Sequence, residues 1–272
     1  ARQSQDESGE LTGAQVPAIC DRQRGVGSDG IVCGPLAEEA RADGFSCQIW
    51  NPDGTLAEVS GNGLRIFARY LLDASYLSLE ETRRTTLYSG GRAIPVAYGE
   101  TAAAPIRVEL GAAHIAPLPP ALPPDVTDAL GAPVAVDVGN PHCVFFPAFP
   151  VDESLARRWG PVVEISPAFP KRTNVQFVRV LDSHTVAIEI WERGAGYTQA
   201  SGSSSCAAAL AAVARGLCDS PVVVGMPGGE LTVDVVAVGG GWQVALTGPV
   251  TPVFRGEWIG AEEDRTFVRI GS

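Results

Sequence analysis

The stretch Asn51–Gly63, N-P-D-G-T-L-A-E-V-S-G-N-G, decides the fold, because the chain nearly repeats it as Glu192–Ser205, E-R-G-A-G-Y-T-Q-A-S-G-S-S-S. In each copy a polar residue, Asn51 or Glu192, precedes a Ser-Gly pair by nine positions. A Gly-rich turn lies between, and an apolar, helix-like run follows. A chain that builds strand, turn and helix start twice can aim two helix N-termini and two side chains at one small molecule from opposite sides. Such an arrangement suits a reaction in which a proton leaves one face of a carbon and returns to the other.

Working outward, Phe45 to Trp50 reads as a strand that ends at the turn Asn51-Pro52-Asp53-Gly54. Beyond Gly63, the residues Leu64, Phe67, Ala68, Leu71 and Leu72 recur at helical spacing, which predicts a helix from near Gly61. The second copy matches, with a strand from Val186 to Trp191, the turn Gly194-Ala195-Gly196 and a helix over Cys206 to Ala214. That helix is apolar on every side, so protein should surround it. Further strands are predicted at Ile106–Leu110, Val134–Val138, Val144–Phe146, Val175–Val180, Val222–Val224, Leu231–Val236 and Trp242–Leu246. Gly25-Val26-Gly27-Ser28-Asp29-Gly30 reads as a turn before the strand Ile31–Cys33, not as a dinucleotide loop, since no strand precedes it. The run from Pro117 to Pro124 holds five prolines in eight residues, which excludes helix and central strand and marks a linker. The predicted halves are therefore 1–116, completed by 250–272, and 117–249, in a strand-dominated α/β (α+β) fold.

At 272 residues the chain has ample length for one large domain or two ordinary ones. Twenty basic against 31 acidic residues give a net charge of −11, which argues against a nucleic-acid or anionic-membrane surface. No apolar run approaches the length of a membrane span, so a cytoplasmic protein is expected. The sequence opens on Ala1 rather than Met, which suggests that something upstream is missing. The six cysteines form no C-x-x-C pair and only three histidines exist, so no metal site is expected and the cysteines read as buried, reduced thiols.

Both Ser-Gly pairs sit where a helix begins, and unpaired backbone N–H groups make that position an anion site. Gly61, Asn62 and Gly63 in one copy, with Gly202 and Ser203 in the other, would let a carboxylate approach the backbone closely. The plainer alternative is that Ser60 and Ser201 are simple N-caps, which serine favours. Gly139-Asn140-Pro141-His142 reads as a turn, where a lone His is commonly an ordinary surface residue. Thr173-Asn174-Val175 places an Asn at the mouth of a strand.

The motifs D-R-x-x-G-V-G-S-D-G, N-P-D-G-T-x-A-E-V-S-G-N-G-L-R, G-N-P-H, T-N-V-Q-F-V and E-R-G-A-G-Y-T-Q-A-S-G-S occur in order from Asp21 to about Pro252. In this the chain resembles the diaminopimelate epimerases, a family of cofactor-independent amino-acid epimerases. The resemblance implies two pseudo-symmetric domains, each a barrel-like sheet around a central helix, with the substrate in the cleft between them. It also implies a two-base mechanism without cofactor, in which one cysteine removes the α-proton and another donates a proton to the opposite face. The matching positions here are Ser60 and Ser201, and the two hydroxyls are expected to face each other across the substrate carbon. The assisting residues would be His142 beside the first base and Glu192 beside the second.

By the same resemblance, Gly61, Asn62, Gly202 and Ser203 hold the reacting amino-acid end. Asn51, Asn174 and Arg193, with Asn140 nearby, hold the distal ammonium and carboxylate. A serine hydroxyl is a far weaker acid than a thiol, so a racemase built this way should be slow. Either cysteines were exchanged for serines to trap substrate or block a disulfide, or a natural subgroup uses the scaffold differently. Tyr197 and Ser204 also depart from the usual Glu and Gly of the family. Its N-terminal segment, with a substrate-facing Asn, has no counterpart before Ala1. Racemisation of another polar amino acid and non-catalytic amino-acid binding remain as alternatives, and an exposed sheet edge could pair two copies in a homodimer.

Overall fold

The structure, a computed structural model, describes residues 11–36, 43–57, 60–117, 122–258 and 268–270. The chain divides into two units, Ala1–Ile106 with Pro249–Ser272, and Arg107–Gly248. Among the described residues, no helix is long and apolar enough to cross a membrane.

In the first unit, a short helix α1 (Val16–Cys20) is followed by the strands β1 (Ile31–Cys33), β2 (Gly44–Ser46) and β3 (Gln48–Trp50). The single strand expected over Phe45–Trp50 is thus two. β3 pairs antiparallel with β1, whereas β2 runs parallel to β4 (Arg84–Ser89). Cys47 is where the chain changes sheet, its N–H donating to Tyr88 O at 2.9 Å. Between them, α2 (Gly61–Asp73) buries Leu64, Phe67, Ala68 and Leu71 while Ile66 stays exposed, as an amphipathic helix must. Gly63 lets it close on β3, since a Cβ there would stand 2.9 Å from Ile49 Cδ1. β4 turns into its antiparallel partner β5 (Arg92–Ala97) through Gly90-Gly91, both at positive φ, a two-residue hairpin loop that glycine permits.

The second unit is a closed barrel. Its strands are β6 (Ile106–Ile115), β7 (Val134–Asp137), β8 (Pro141–Phe145), β9 (Asn174–Asp182), β10 (Thr185–Glu192), β12 (Val222–Met226), β13 (Gly229–Val238) and β14 (Gly241–Gly248). They are hydrogen-bonded in that order, and β14 returns to β6. A short strand β11 (Gly196–Thr198) folds back on the end of β10. Every strand predicted in this half is present, most of them longer than expected.

Helix α5 (Gly202–Ala214) runs against β7, β8, β9, β10, β12, β13 and β14. Its residues from Cys206 to Ala212 are wholly buried, in agreement with a helix apolar on all sides. An eight-stranded barrel has an interior just wide enough for side chains to fill, which is why a helix threading it is mostly alanine and serine.

Two helices lie on the other face of β8 and β9. The prolines exclude helix less fully than expected: α3 (Pro124–Leu130) starts on Pro124, because the first helical position needs no N–H. Residues 118–121 of that proline run lie outside the described residues. The unpredicted α4 (Glu153–Glu164) is capped by Asp152, whose carboxylate accepts from Leu155 N at 2.9 Å. Leu155, Ala156 and Val163 of α4 and Val126 and Leu130 of α3 cluster with Phe145 and Phe177, whose rings stack 6.0 Å apart. With α5 on one face and this cluster on the other, the start of β9 is buried residue after residue rather than alternately.

Candidate active site

In the first unit, Ser60 has extended backbone angles and its hydroxyl accepts from Gly63 N at 3.1 Å, so it caps α2. Gly61 is buried beside it. Asn62 on the first turn accepts from Arg65 Nη2 at 2.9 Å, and Arg65 Nη1 donates to Gly61 O at 3.3 Å. The first turn of α2 is thereby fixed in place by a buried guanidinium, a residue that the sequence pattern does not single out. Asn51 uses its amide within its own turn, donating to Thr55 Oγ1 at 3.0 Å, while Gly54 takes a φ of +84° to close that turn.

The second unit gathers eight of the expected residues. Ser201 caps α5 as Ser60 caps α2, and the two helices each span 13 residues. Its hydroxyl accepts from Ser204 N at 3.5 Å, donates to Glu192 Oε1 at 3.4 Å and lies 3.5 Å from Ser203 Oγ. Gly202 is buried at the helix start. The β10–β11 hairpin brings Glu192 there, pairing it with Gly196. Both serines therefore do cap, each accepting from a backbone N–H three residues on.

Asn174, the first residue of β9, joins two of the motifs. Its Nδ2 donates to Pro141 O at 3.1 Å and its Oδ1 accepts from Arg193 N at 2.9 Å. Arg193 also reaches Lys171 O through Nη1 at 3.4 Å. His142 departs from the loop reading: it is the second residue of β8, 1% exposed, with Nε2 2.8 Å from Asn140 Oδ1. Pro141 looks like a turn residue but opens the strand, a position where no ladder N–H is needed. Burial pushes the His142 imidazole down to about 4, Arg193 pushes it the same way, and the Gln176 side chain and Asp137 pull weakly upward. The ring is neutral at pH 7.

The sequence pattern does not single out two buried side chains, Gln176 and Glu164. Gln176 donates from Nε2 to Ser204 Oγ at 3.0 Å, between β9 and the first turn of α5. Among the described residues, His142 Nδ1 and Gln176 Oε1 are buried without a hydrogen bond of normal geometry, although the Gln176 side chain is near enough to act on the ring. Glu164 of α4 accepts from Trp191 Nε1 at 2.7 Å and from Gly194 N at 2.9 Å. Alternation over Asn174-Val175-Gln176-Phe177 reads Gln176 as outward-facing, and nothing local signals its partner. Five of the six cysteines are buried, and Cys33 is half-buried.

The family model for diaminopimelate epimerase matches residues 3–115 and 134–253. The chain belongs to the diaminopimelate epimerase family. As a member of the diaminopimelate epimerase family it is an isomerase of the amino-acid epimerase class. It is 40% identical over 263 residues to diaminopimelate epimerase 2 of Nostoc sp., covering 93% of this chain and 89% of that protein. With the diaminopimelate epimerase of Moorella thermoacetica it shares 37% over 250 residues, 88% of this chain and 87% of the other.

Solved structures place the fold more widely. A phenazine biosynthesis protein of the PhzF family from Bacillus anthracis superposes with a TM-score of 0.65 at 14% identity, covering 90% of this chain and 88% of that one. A hydroxyproline epimerase from Agrobacterium vitis gives 0.64 at 16% identity, over 87% and 77%. At these identities the likeness concerns the fold alone.

Proposed function

We propose that the chain converts LL-diaminopimelate to meso-diaminopimelate through two bases, in a form whose turnover is impaired because serines stand at both base positions. The observation that carries this reading is the matched pair of capped helix starts, each with a serine hydroxyl at its N-terminus and one of them beside Glu192. N–H groups at such starts favour a carboxylate, and a carbanion forming next to that carboxylate is stabilised by the same positive field. Ser201 would act with Glu192 as its base, and Ser60 on the opposite face. Neutral His142 can hold or pass a proton but adds no charge. Asn174 and Arg193, tied to each other, supply donors for a polar group at the far end of the substrate.

The test is exchange at the α-carbon. In deuterium oxide, the Ser60→Cys/Ser201→Cys chain should wash deuterium into diaminopimelate quickly, and the chain as it stands should do so slowly or undetectably. Absence of exchange from the cysteine form overturns the proposal. The paired serines also favour a second reading, a non-catalytic amino-acid-binding homologue. It predicts tight calorimetric binding with no exchange in either form. Faster racemisation of another polar amino acid, read by chiral chromatography across a panel, would reassign the substrate.

A further inference from the structure

Glu164 is the last residue of α4, where the negative end of the helix dipole disfavours a carboxylate. It is also only 6% exposed, so burial disfavours the charge as well. Its place must therefore come from what it touches. Oε2 accepts from Trp191 Nε1 at 2.7 Å, and Oε1 accepts from Gly194 N at 2.9 Å and from Arg172 Nη1 at 3.4 Å.

Those three partners bracket the substrate-side segments. Trp191 and Gly194 flank Glu192 and Arg193. Arg172, at a φ of +59° that residues with a side chain rarely adopt, lies two positions before Asn174. Asn174 Oδ1 in turn accepts from Arg193 N. One turn earlier on α4, Gly160 leaves no space for a side chain, since a Cβ would stand 2.3 Å from Trp191 Cγ. α4 thus presses on the hairpin at Gly160 and grips it at Glu164.

We infer that Glu164 is a positioning residue that, from outside the barrel, sets where Asn174 and Arg193 stand and thereby tunes recognition of the polar far end of the substrate. This rests on the reading of Asn174 and Arg193 as holders of that end. Glu164 itself needs no contact with substrate. Its carboxylate holds two strand ends in register, and a change there alters affinity for the distal group selectively.

Titration calorimetry on the full chain tests this with two probes, meso-diaminopimelate and L-2-aminohexanoate, which lacks the distal ammonium and carboxylate. Glu164→Gln should weaken diaminopimelate binding roughly ten-fold or more, the usual effect of losing a charge-assisted hydrogen bond, and leave the aminohexanoate unchanged. Trp191→Phe, which removes one donor and keeps the ring, should give a smaller loss of the same selectivity. It carries the test if Glu164→Gln fails to fold. Equal weakening for both probes marks a purely structural role and overturns the inference. So does unchanged binding in both variants. A native chain that binds no diaminopimelate overturns the functional reading, and the inference falls with it.

Discussion

Ser201 Oγ lies 3.4 Å from Glu192 Oε1, across nine residues of sequence that the β10–β11 hairpin folds back onto the start of α5. At that distance the carboxylate orients the hydroxyl but does not draw its proton away strongly. A thiol would give its proton to the same carboxylate far more readily, because that proton is far more acidic. In the Ser60→Cys/Ser201→Cys background, Glu192→Gln should therefore lower the exchange rate by about 100-fold, the range expected for loss of a positioned base. Proton exchange followed by NMR measures this directly.

Buried His142 makes stability pH-dependent. Its folded value of about 4 lies below the usual 6.5, so the unfolded chain binds more protons across that interval. Stability contributed by neutral His142 is then complete above about pH 6.5 and is lost as pH falls toward 4, by at most about 3 kcal/mol. Urea midpoints from pH 7 to pH 4 should drop more steeply for this chain than for His142→Asn. Identical slopes would remove His142 as the cause.

Gln176 and Ser204 form a buried pair whose loss is asymmetric. Ser204→Ala strands the buried Gln176 Nε2, and should cost about 1–3 kcal/mol. Adding Gln176→Leu should recover part of that loss, since no donor is then left unmet. Urea denaturation of the two single variants and the double variant tests the coupling.

Gly160→Ala pits helix propensity against space. Alanine would ordinarily stabilise a helix interior by up to about 1 kcal/mol. Here its methyl group meets Trp191 at 2.3 Å, so a net destabilisation of about 1–3 kcal/mol is expected. Denaturation followed by Trp fluorescence reports both the stability and the displaced ring.

The parts legible in the sequence are those with local causes. β10, α5 and both serine caps follow from periodicity and from turn residues within a few positions. α4 holds Gly160 and Pro161 within it, which weaken its helical pattern even though Asp152 caps its start. β4 and β5 were missed despite the Gly90-Gly91 turn between them. The break at Cys47 depends on which strands flank it, and no pattern inside Phe45–Trp50 encodes that. Glu164 reaches residues 27 and 30 positions away, contacts that exist only once α4 packs on β10.

The alanine-rich helix within the barrel has an evolutionary corollary. With Cys206–Ala212 walled in on every side, almost any enlargement of that helix would clash, so the direction in which Ser201 is aimed is close to immutable. Adaptation to a new amino acid is then left to side chains outside that helix, such as those of the hairpin that carries Glu192 and Arg193.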